Sequence, residues 1–369
     1  MNLPVHPSSF IEPTLTSRIR HYATEAENNG RLHPQQLEII YMQNWFNLFV
    51  PLRLGGLGLS FVDGLRIEEA LAWADGSTGW TVTLCSGANF FIGFLQPDAG
   101  KKIFEDSRVC LAGSGHPTGL AKRLTDGYEI TGRWRYATGA PDATVFTATC
   151  MMEEEGKLLT GKDGKPLTNA FWFWQKEVVI DRDWNAMGMI ATASHSFEVK
   201  ELKVPLDRIF NIDEEHALLP DPIFRYPFLQ FAEATLAVNI SGMAIHFLDL
   251  CKIILAERME SKKYEPEIVK AGLNKLEKAE NELNSGRGDF YETIELSWHH
   301  FLSNGSFLSS ELIGKVSEVS RRLADQARRQ VDELYPYCGM GAADRSTEIN
   351  RVWRDLHTAS QHQLLQGKI

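Results

Sequence analysis

Residues 109–141 read VCLAGSGHPTGLAKRLTDGYEITGRWRYATGAP, and this stretch decides the architecture of the 369-residue chain. Asp126-Gly127 lies between two runs of alternating apolar and polar residues, a strong short-range hairpin signature. With a two-residue repeat, the second strand places Trp134, Tyr136 and Thr138 on one face. An aromatic wall ending in a hydroxyl suits a planar, hydrogen-bonding ring, and equally the apolar interior of a barrel. The preceding Gly113-Ser-Gly-His-Pro-Thr-Gly119 is one residue too long for the G-x-G-x-x-G dinucleotide fingerprint. It also leads into a hairpin rather than a helix, so a Rossmann reading fails on context.

Outward from this hairpin the chain divides into three regions, 1–106, 107–212 and 213–369. The first reads as helical over 15–28, 34–49, 63–74, 77–94 and 97–105, with Gly and Pro between the segments. Ser77 is placed to cap one helix and Pro97 to open another. Residues 76–97 carry no charge, a length that nominally spans a bilayer. Four glycines and several Ser, Thr, Asn and Gln side chains make it a buried core helix instead.

The middle region holds runs rich in β-branched and aromatic residues at 144–152, 170–180 and 197–204, which predict an antiparallel β-barrel or sandwich. Glu153-Glu-Glu-Gly156 and Lys162-Asp-Gly-Lys-Pro166 read as exposed hairpin loops. In the third region Leu236, Ile240, Met243, Phe247, Leu250 and Ile254 form an apolar seam on one long helix, and Leu312, Val316, Val319 and Leu323 on another. Leu276, Ala279 and Leu283, then Phe290, Ile294 and Phe301, mark two shorter helices, and together these predict a four-helix bundle.

Composition narrows the function. The chain carries 38 basic and 48 acidic residues, a net charge of −10, with no basic stripe, so nucleic acid is not an expected partner. Cys85, Cys110, Cys150, Cys251 and Cys338 form no C-x-x-C pair, which argues against a disulfide framework and a thiolate zinc site. His357 and His362 are five apart, about 140° around a helix, and His299 and His300 point to different faces, so no metal site is expected. The opening MNLPVHPSSFIEP lacks a charged-then-apolar leader, and the expectation is a cytoplasmic protein with no membrane partner.

Helical, then β, then helical bundle is the order of the acyl-CoA dehydrogenase superfamily, and local motifs agree. Pro51-Leu-Arg-Leu-Gly-Gly-Leu-Gly58 resembles its "P…GG.G" turn and Asp75-Gly-Ser-Thr-Gly-Trp80 its "D.S.GW" helix start. Trp184-Asn-Ala-Met-Gly-Met-Ile-Ala-Thr-Ala-Ser194 is similar to "W…GMR.T.S", with Ile190 in place of Arg. Val204-Pro-Leu-Asp-Arg208, Cys338-Gly-Met-Gly-Ala342 and Arg351-Val-Trp-Arg-Asp355 resemble "VP..R", "GG.G" and "R..RD". Six elements in order, over nearly the whole chain, make the resemblance specific.

Dehydrogenases of this family abstract an α-proton from an acyl-CoA with a glutamate, often in a Tyr-Glu-Gly run after the "RD" element. Here Asp355-Leu-His-Thr-Ala-Ser-Gln-His-Gln363 offers no carboxylate beyond Asp355, removing a general-base contribution of about 10²–10⁴-fold unless another glutamate such as Glu233 supplies it. The "GRW.Y.TG" strand, the "AG…P.G.A" loop and the "RD…H" ending resemble another branch, the two-component flavin-dependent monooxygenases of the p-hydroxyphenylacetate and dibenzothiophene oxygenase type. That resemblance implies a flavin cofactor, FMN or FAD, reduced by a separate flavin reductase and used with dioxygen on a small-molecule substrate. The alternatives are an acyl-CoA dehydrogenase-type oxidoreductase using FAD and a non-catalytic ligand-binding homologue.

The site implied by the resemblance lies between the β domain and the bundle. Trp134 and Thr138 flank the ring, with the Thr138 hydroxyl as a donor near N5, and Ser114 and Gly115 meet the polar edge. His362 faces the reactive side as a histidine with a reference pKa near 6.5. Arg258 or Arg354 meets the phosphate or a structural carboxylate, and Asn89 and His116 line the substrate pocket. The branch's histidine on the N-terminal helix has no counterpart in Cys85-Ser-Gly-Ala-Asn89. Gly339 and Gly341 are expected to complete a neighbouring subunit's cofactor site in a homotetramer or homodimer.

Overall fold

The computed structural model describes residues 4–161, 164–261 and 263–366. Its N-terminal helices are α1 (Pro13–Asn29), α2 (Pro34–Met42), α3 (Phe61–Ala74), α4 (Gly76–Asn89) and α5 (Pro97–Phe104). Proline opens α1, α2 and α5 at the first helical position, where its missing N–H costs nothing. The segment expected as one helix over 34–49 instead ends at Met42, because Asn44 takes a left-handed conformation and a short 3-10 turn follows. The cap of α4 is Asp75 rather than Ser77, with the Asp75 carboxylate accepting from the Thr78 amide at 2.9 Å. As expected of an uncharged core helix, α4 is buried along nearly its whole length.

Among the described residues, eight strands follow: β1 (Leu111–Arg123), β2 (Gly127–Ala137), β3 (Val145–Glu154), β4 (Lys157–Leu158), β5 (Thr168–Trp174), β6 (Val179–Asp181), β7 (His195–Pro205) and β8 (Ile209–Phe210). The Asp126-Gly127 hairpin is present, with Leu120 opposite Thr131 and Arg123 opposite Tyr128. The sheet order is β6-β7-β2-β1-β3-β5-β8, with β4 added to β3. The expected all-antiparallel sheet is corrected here, because β1 and β3 run parallel. A return through the 3-10 turn at Ala140–Asp142 brings β3 back beside β1 in the same direction. Of the two predicted surface loops, Glu155-Gly156 forms a tight turn with positive φ at both residues. In the other, Lys162 and Asp163 lie outside the described residues.

One face of this sheet packs on the helices through Leu111, Val145 and Trp172. The other encloses its own core of Ala112, Phe146, Phe171, Phe173 and Phe197, as period-two alternation requires. The β1–β3 ladder breaks between Ser114 and Gly119, so residues 115–118 bulge outward and the Thr149 carbonyl loses its strand partner on that side. Trp134 fills the gap. Its indole N–H donates to the Thr149 carbonyl at 2.9 Å, and the ring stacks on Phe197 at 5.2 Å. Bare backbone is required beneath it: a Cβ on Gly119 would sit 2.1 Å from the indole, and one on Gly132 2.6 Å.

The C-terminal region contains α6 (Phe228–Glu260), α7 (Pro266–Ser303), α8 (Ser310–Cys338), α9 (Met340–Ala343) and α10 (Glu348–Ala359). The two shorter helices expected between the long ones are a single helix, α7, because Ser285-Gly-Arg-Gly288 continues the helical hydrogen bonding while buried Arg287 is held in place. The predicted seam on α6 is buried from Leu236 to Phe247 and half-buried at Leu250 and Ile254, and the other faces are buried too over the first two-thirds, since α3, α4, α7, α8 and α10 all pack on it. That all-round burial explains why α6 is long and apolar enough to cross a bilayer by length and composition.

A buried ion pair ties α3 to this bundle. Glu69 accepts from Arg287 Nε and Nη2 at 2.8 Å each, from Tyr291 at 2.9 Å and from Ser241 at 2.5 Å. Full hydrogen bonding is what makes such a buried carboxylate tolerable. Gly119→Ala is expected to destabilise the fold by about 1–3 kcal/mol through overpacking, and Trp134→Phe by a similar amount through an orphaned Thr149 carbonyl. Lowered denaturant midpoints for both variants, with helical content retained, are the check.

Candidate active site

The site forms where β2, the 184–194 loop and α10 meet. Near the end of β2 the ladder with β7 shifts between Trp134 and Ala137, and Tyr136 adopts φ +69°. The three residues expected on one face therefore separate: Trp134 points into the barrel core, Tyr136 is exposed, and Thr138 is buried against the 184–194 loop. This corrects Trp134 as a ring-flanking residue, because its faces and its N–H are already taken by Phe197, Phe173 and Thr149.

The 184–194 loop is held in an uncommon conformation, with Met189 at φ +54° and Ala193 at φ +45°. Each such non-glycine residue costs on the order of 1–3 kcal/mol and persists only under external constraint. Here α10 supplies the constraint. The Met189 amide donates to Asp355 Oδ1 at 2.5 Å and the Gly188 amide to Thr358 Oγ1 at 2.9 Å. Gly188 has to be glycine, since a Cβ would lie 2.1 Å from the Arg354 carbonyl. The loop then presents Thr192 and Ser194, and the Gly139 amide donates to the Thr192 carbonyl at 2.9 Å. Thr138 Oγ1 and Ser194 Oγ lie 2.9 Å apart, Ser194 Oγ and Thr192 Oγ1 2.7 Å, and all three residues are buried. Thr192 and Ser194 stand at the "T.S" of the 184–194 motif, and that spacing is the sequence signal for this hydroxyl cluster.

His362 follows α10 and packs its ring against Trp80 of α4, with centroids 6.0 Å apart. The Leu364 amide donates to Nδ1 at 3.3 Å, so the neutral ring carries its proton on Nε2. Burial, then the neighbouring His116, push its pKa down to about 4. It is neutral at ordinary pH and a poor base, which corrects the reading based on a reference value near 6.5. His116 is exposed on the bulged stretch of β1, close enough to repel a charged His362. Gly115 beside it opens onto free space, and Ser114 marks where the ladder with β3 ends.

At the far end of α6, Arg258 donates to the carbonyls of Tyr337 and Cys338 and lies 5.0 Å over the Tyr264 ring. Its guanidinium abuts Gly339, and Gly341 is exposed on the next turn. Two predicted site residues prove structural. Arg354 is consumed by Asn350 at 2.7 Å, the Met187 carbonyl at 2.9 Å and Glu27, so it joins a structural carboxylate and not a phosphate. The buried Asn89 amide bonds Asn47 at 2.7 Å and the Leu111 amide at 2.8 Å, fastening α4 to β1, and does not line a pocket. Glu233, the alternative carboxylate, is paired with Arg321 at 2.6 Å. Phe90, Phe94 and Phe231 pack into the helical core, while Phe91 and Phe228 stay partly buried near Phe210. Among the described residues no group of three or more His, Cys, Asp or Glu is arranged for a metal ion.

These residues fit a flavin. A stretch of β1 out of register with β3, a hydroxyl cluster and a neutral imidazole offer hydrogen-bonding groups to a planar ring, and a guanidinium beside glycine backbone suits a phosphate.

Residues 234–367 match the family model for the acyl-CoA dehydrogenase C-terminal domain. The chain is 27% identical to an indole-3-acetate monooxygenase of Pseudomonas putida, over 86% of this chain and 79% of that protein. It is 22% identical to the flavin-dependent monooxygenase oxygenase subunit HsaA of Rhodococcus jostii, over 94% and 92%. Its fold superposes on a 3-HSA hydroxylase from Rhodococcus with TM-score 0.87 at 21% identity, covering 95% and 91% of the two chains. XiaF from Streptomyces, solved with FADH2 and glycerol, superposes with TM-score 0.83 at 20% identity over 95% and 91%. The C-terminal region thus matches the acyl-CoA dehydrogenase C-terminal domain, and the fold of the chain is the one these solved structures share. The relatives it resembles include the oxygenase subunits of flavin-dependent monooxygenases.

Asp355 generates a testable pH dependence. Burial, then Asp75, push its carboxyl up from 3.8 to about 7. The fold therefore favours the protonated form. That contribution is complete below the unfolded pKa of 3.8 and is lost as pH rises through about 7. Asp355→Asn keeps an acceptor for the Met189 amide without the charge. Relative to this variant, the native protein is expected to lose stability steadily between pH 4 and pH 7, read as the difference in denaturant midpoints. A difference independent of pH would refute the assignment.

Proposed function

We propose that this protein is the oxygenase component of a two-component flavin-dependent monooxygenase. It takes reduced FMN or FAD from a separate reductase and inserts one oxygen atom of dioxygen into a small aromatic substrate. One observation carries this reading: the chain beyond α10 puts a half-buried, neutral imidazole, His362, where an acyl-CoA dehydrogenase would need a carboxylate base. The monooxygenase names borne by its relatives support it.

The bound flavin supplies the redox and oxygen-activating chemistry, and the chain's residues do the rest. His362 offers Nε2–H as a donor without itself becoming charged, and Trp80 holds the ring in place. Thr138 presents its hydroxyl oxygen from the β domain, and the bulge at 115–118 offers amides to a polar edge. Arg258 and Gly339 suit the phosphate end. Met259, Tyr264 and Met340, exposed beside them, support assembly into a homodimer or homotetramer that covers this apolar surface.

The test couples the protein to a flavin reductase with NADH, FMN or FAD and ¹⁸O₂, and offers phenols and indoles. Product carrying one ¹⁸O supports the reading; flavin reduction by acyl-CoA thioesters with no oxygen incorporation would replace it. His362→Ala is expected to lower product formation by about tenfold to a hundredfold, the worth of a hydrogen bond to developing charge. Flavin affinity should change much less. Because His362 titrates near 4, its loss should not introduce or remove an ionisation between pH 6 and pH 8.

A further inference from the structure

The three buried hydroxyls at the site have a single allowed proton arrangement. A carbonyl oxygen cannot donate, and each Ser or Thr hydroxyl has one proton. Thr192 Oγ1 lies 2.8 Å from the Met189 carbonyl and donates to it. Its proton is then spent, so the 2.7 Å contact with Ser194 Oγ has Ser194 as donor. The Ser194 proton is spent in turn, so across the 2.9 Å contact Thr138 donates to Ser194. Thr138 Oγ1 is left with lone pairs only, and among the described residues no protein group donates to them.

The first link of the relay is firmly fixed. The Met189 carbonyl also accepts from Trp184 Nε1 at 2.9 Å, and the Met189 amide is held by Asp355. Buried hydroxyls cannot turn to water to escape this order, so the direction of the relay is set by the backbone of a constrained loop.

We propose that Thr192 and Ser194 are positioning residues that make Thr138 an obligatory hydrogen-bond acceptor, so that the site selects reduced over oxidised flavin. This rests on the flavin reading above. It reverses the expected polarity, in which the Thr138 hydroxyl is a donor. Reduced flavin carries a proton on N5 that an acceptor welcomes, whereas oxidised flavin presents a lone pair there. An oxygenase supplied by diffusion of reduced cofactor from another protein gains from that preference, because it takes up the reduced form and releases the oxidised one. Freed from Ser194, the same Thr138 hydroxyl could donate as well as accept, and the discrimination would shrink.

The test is anaerobic binding of FMN and of FAD, each oxidised and photoreduced, measured by ultrafiltration. The native protein is expected to bind reduced flavin more tightly than oxidised. In Ser194→Ala the ratio of the two dissociation constants should fall by about three- to tenfold, the worth of one hydrogen bond. The fall should come from tighter binding of oxidised flavin. Thr138→Val should reduce the same ratio by weakening the reduced form instead.

Thr192→Val, nearly isosteric, frees the Ser194 proton and should act in the direction of Ser194→Ala, so the test survives if that variant misfolds. Ser194→Thr, which keeps a hydroxyl, should preserve the native ratio. An unchanged ratio in Ser194→Ala and Thr192→Val, or equal weakening of both redox forms, would overturn the relay while leaving flavin binding intact. Failure of the native protein to bind FMN or FAD in either state would overturn the flavin reading as well.

Discussion

The contact between Asp355 and the Met189 amide governs the rest of the site. It joins α10 to a loop of the β domain whose backbone would not otherwise hold its left-handed turns at Met189 and Ala193. Burying a carboxyl group is expensive, and the protein lessens the cost by favouring the neutral form. The Thr358–Gly188 contact and the bare Cα of Gly188 bring the two backbones together. With the loop fastened, Thr192 and Ser194 reach Thr138, and the segment leaving α10 delivers His362 to Trp80. One docking interface thus sets both the hydroxyl side and the imidazole side of the site.

The bulge in β1 follows the same logic of local disruption compensated by a specific partner. Pushing residues 115–118 out of the ladder with β3 deprives the Thr149 carbonyl of a backbone donor. Trp134 restores the hydrogen bond and fills the space, and Gly119 and Gly132 make room for it. Irregular backbone beside the site is therefore maintained by an ordinary aromatic core on the other face of the sheet. On the helical side, the Glu69–Arg287 pair makes α3 part of the bundle and gives α4 a rigid bed on which to hold Trp80.

Much of this was legible in the residues. The Asp126-Gly127 turn, the uncharged run at 76–97 and the apolar spacing in α6 and α8 were read correctly because they depend on local periodicity and turn chemistry. The parallel β1–β3 pairing was not, because strand order is set by contacts far apart in sequence. Period two failed at Tyr136 for a different reason: a positive φ and a register shift break the alternation that the pattern assumes. Arg354 and Asn89 have the chemistry of ligand-binding residues, and only their buried partners show that this chemistry is already used.

The amino-acid order by itself determined the succession of helices, strands and helices, the family motifs and the histidine in place of a carboxylate after Asp355, since these are properties of residue type and spacing. Tertiary structure alone decided what those residues can do. It seals Trp134 in a core, lowers the basicity of His362 by burial and brings Thr192 beneath Ser194 and Thr138. The polarity of the Thr138 hydroxyl is the clearest case. A threonine side chain can donate or accept, and the choice falls to a carbonyl three contacts away, because a hydroxyl has one proton and a carbonyl has none.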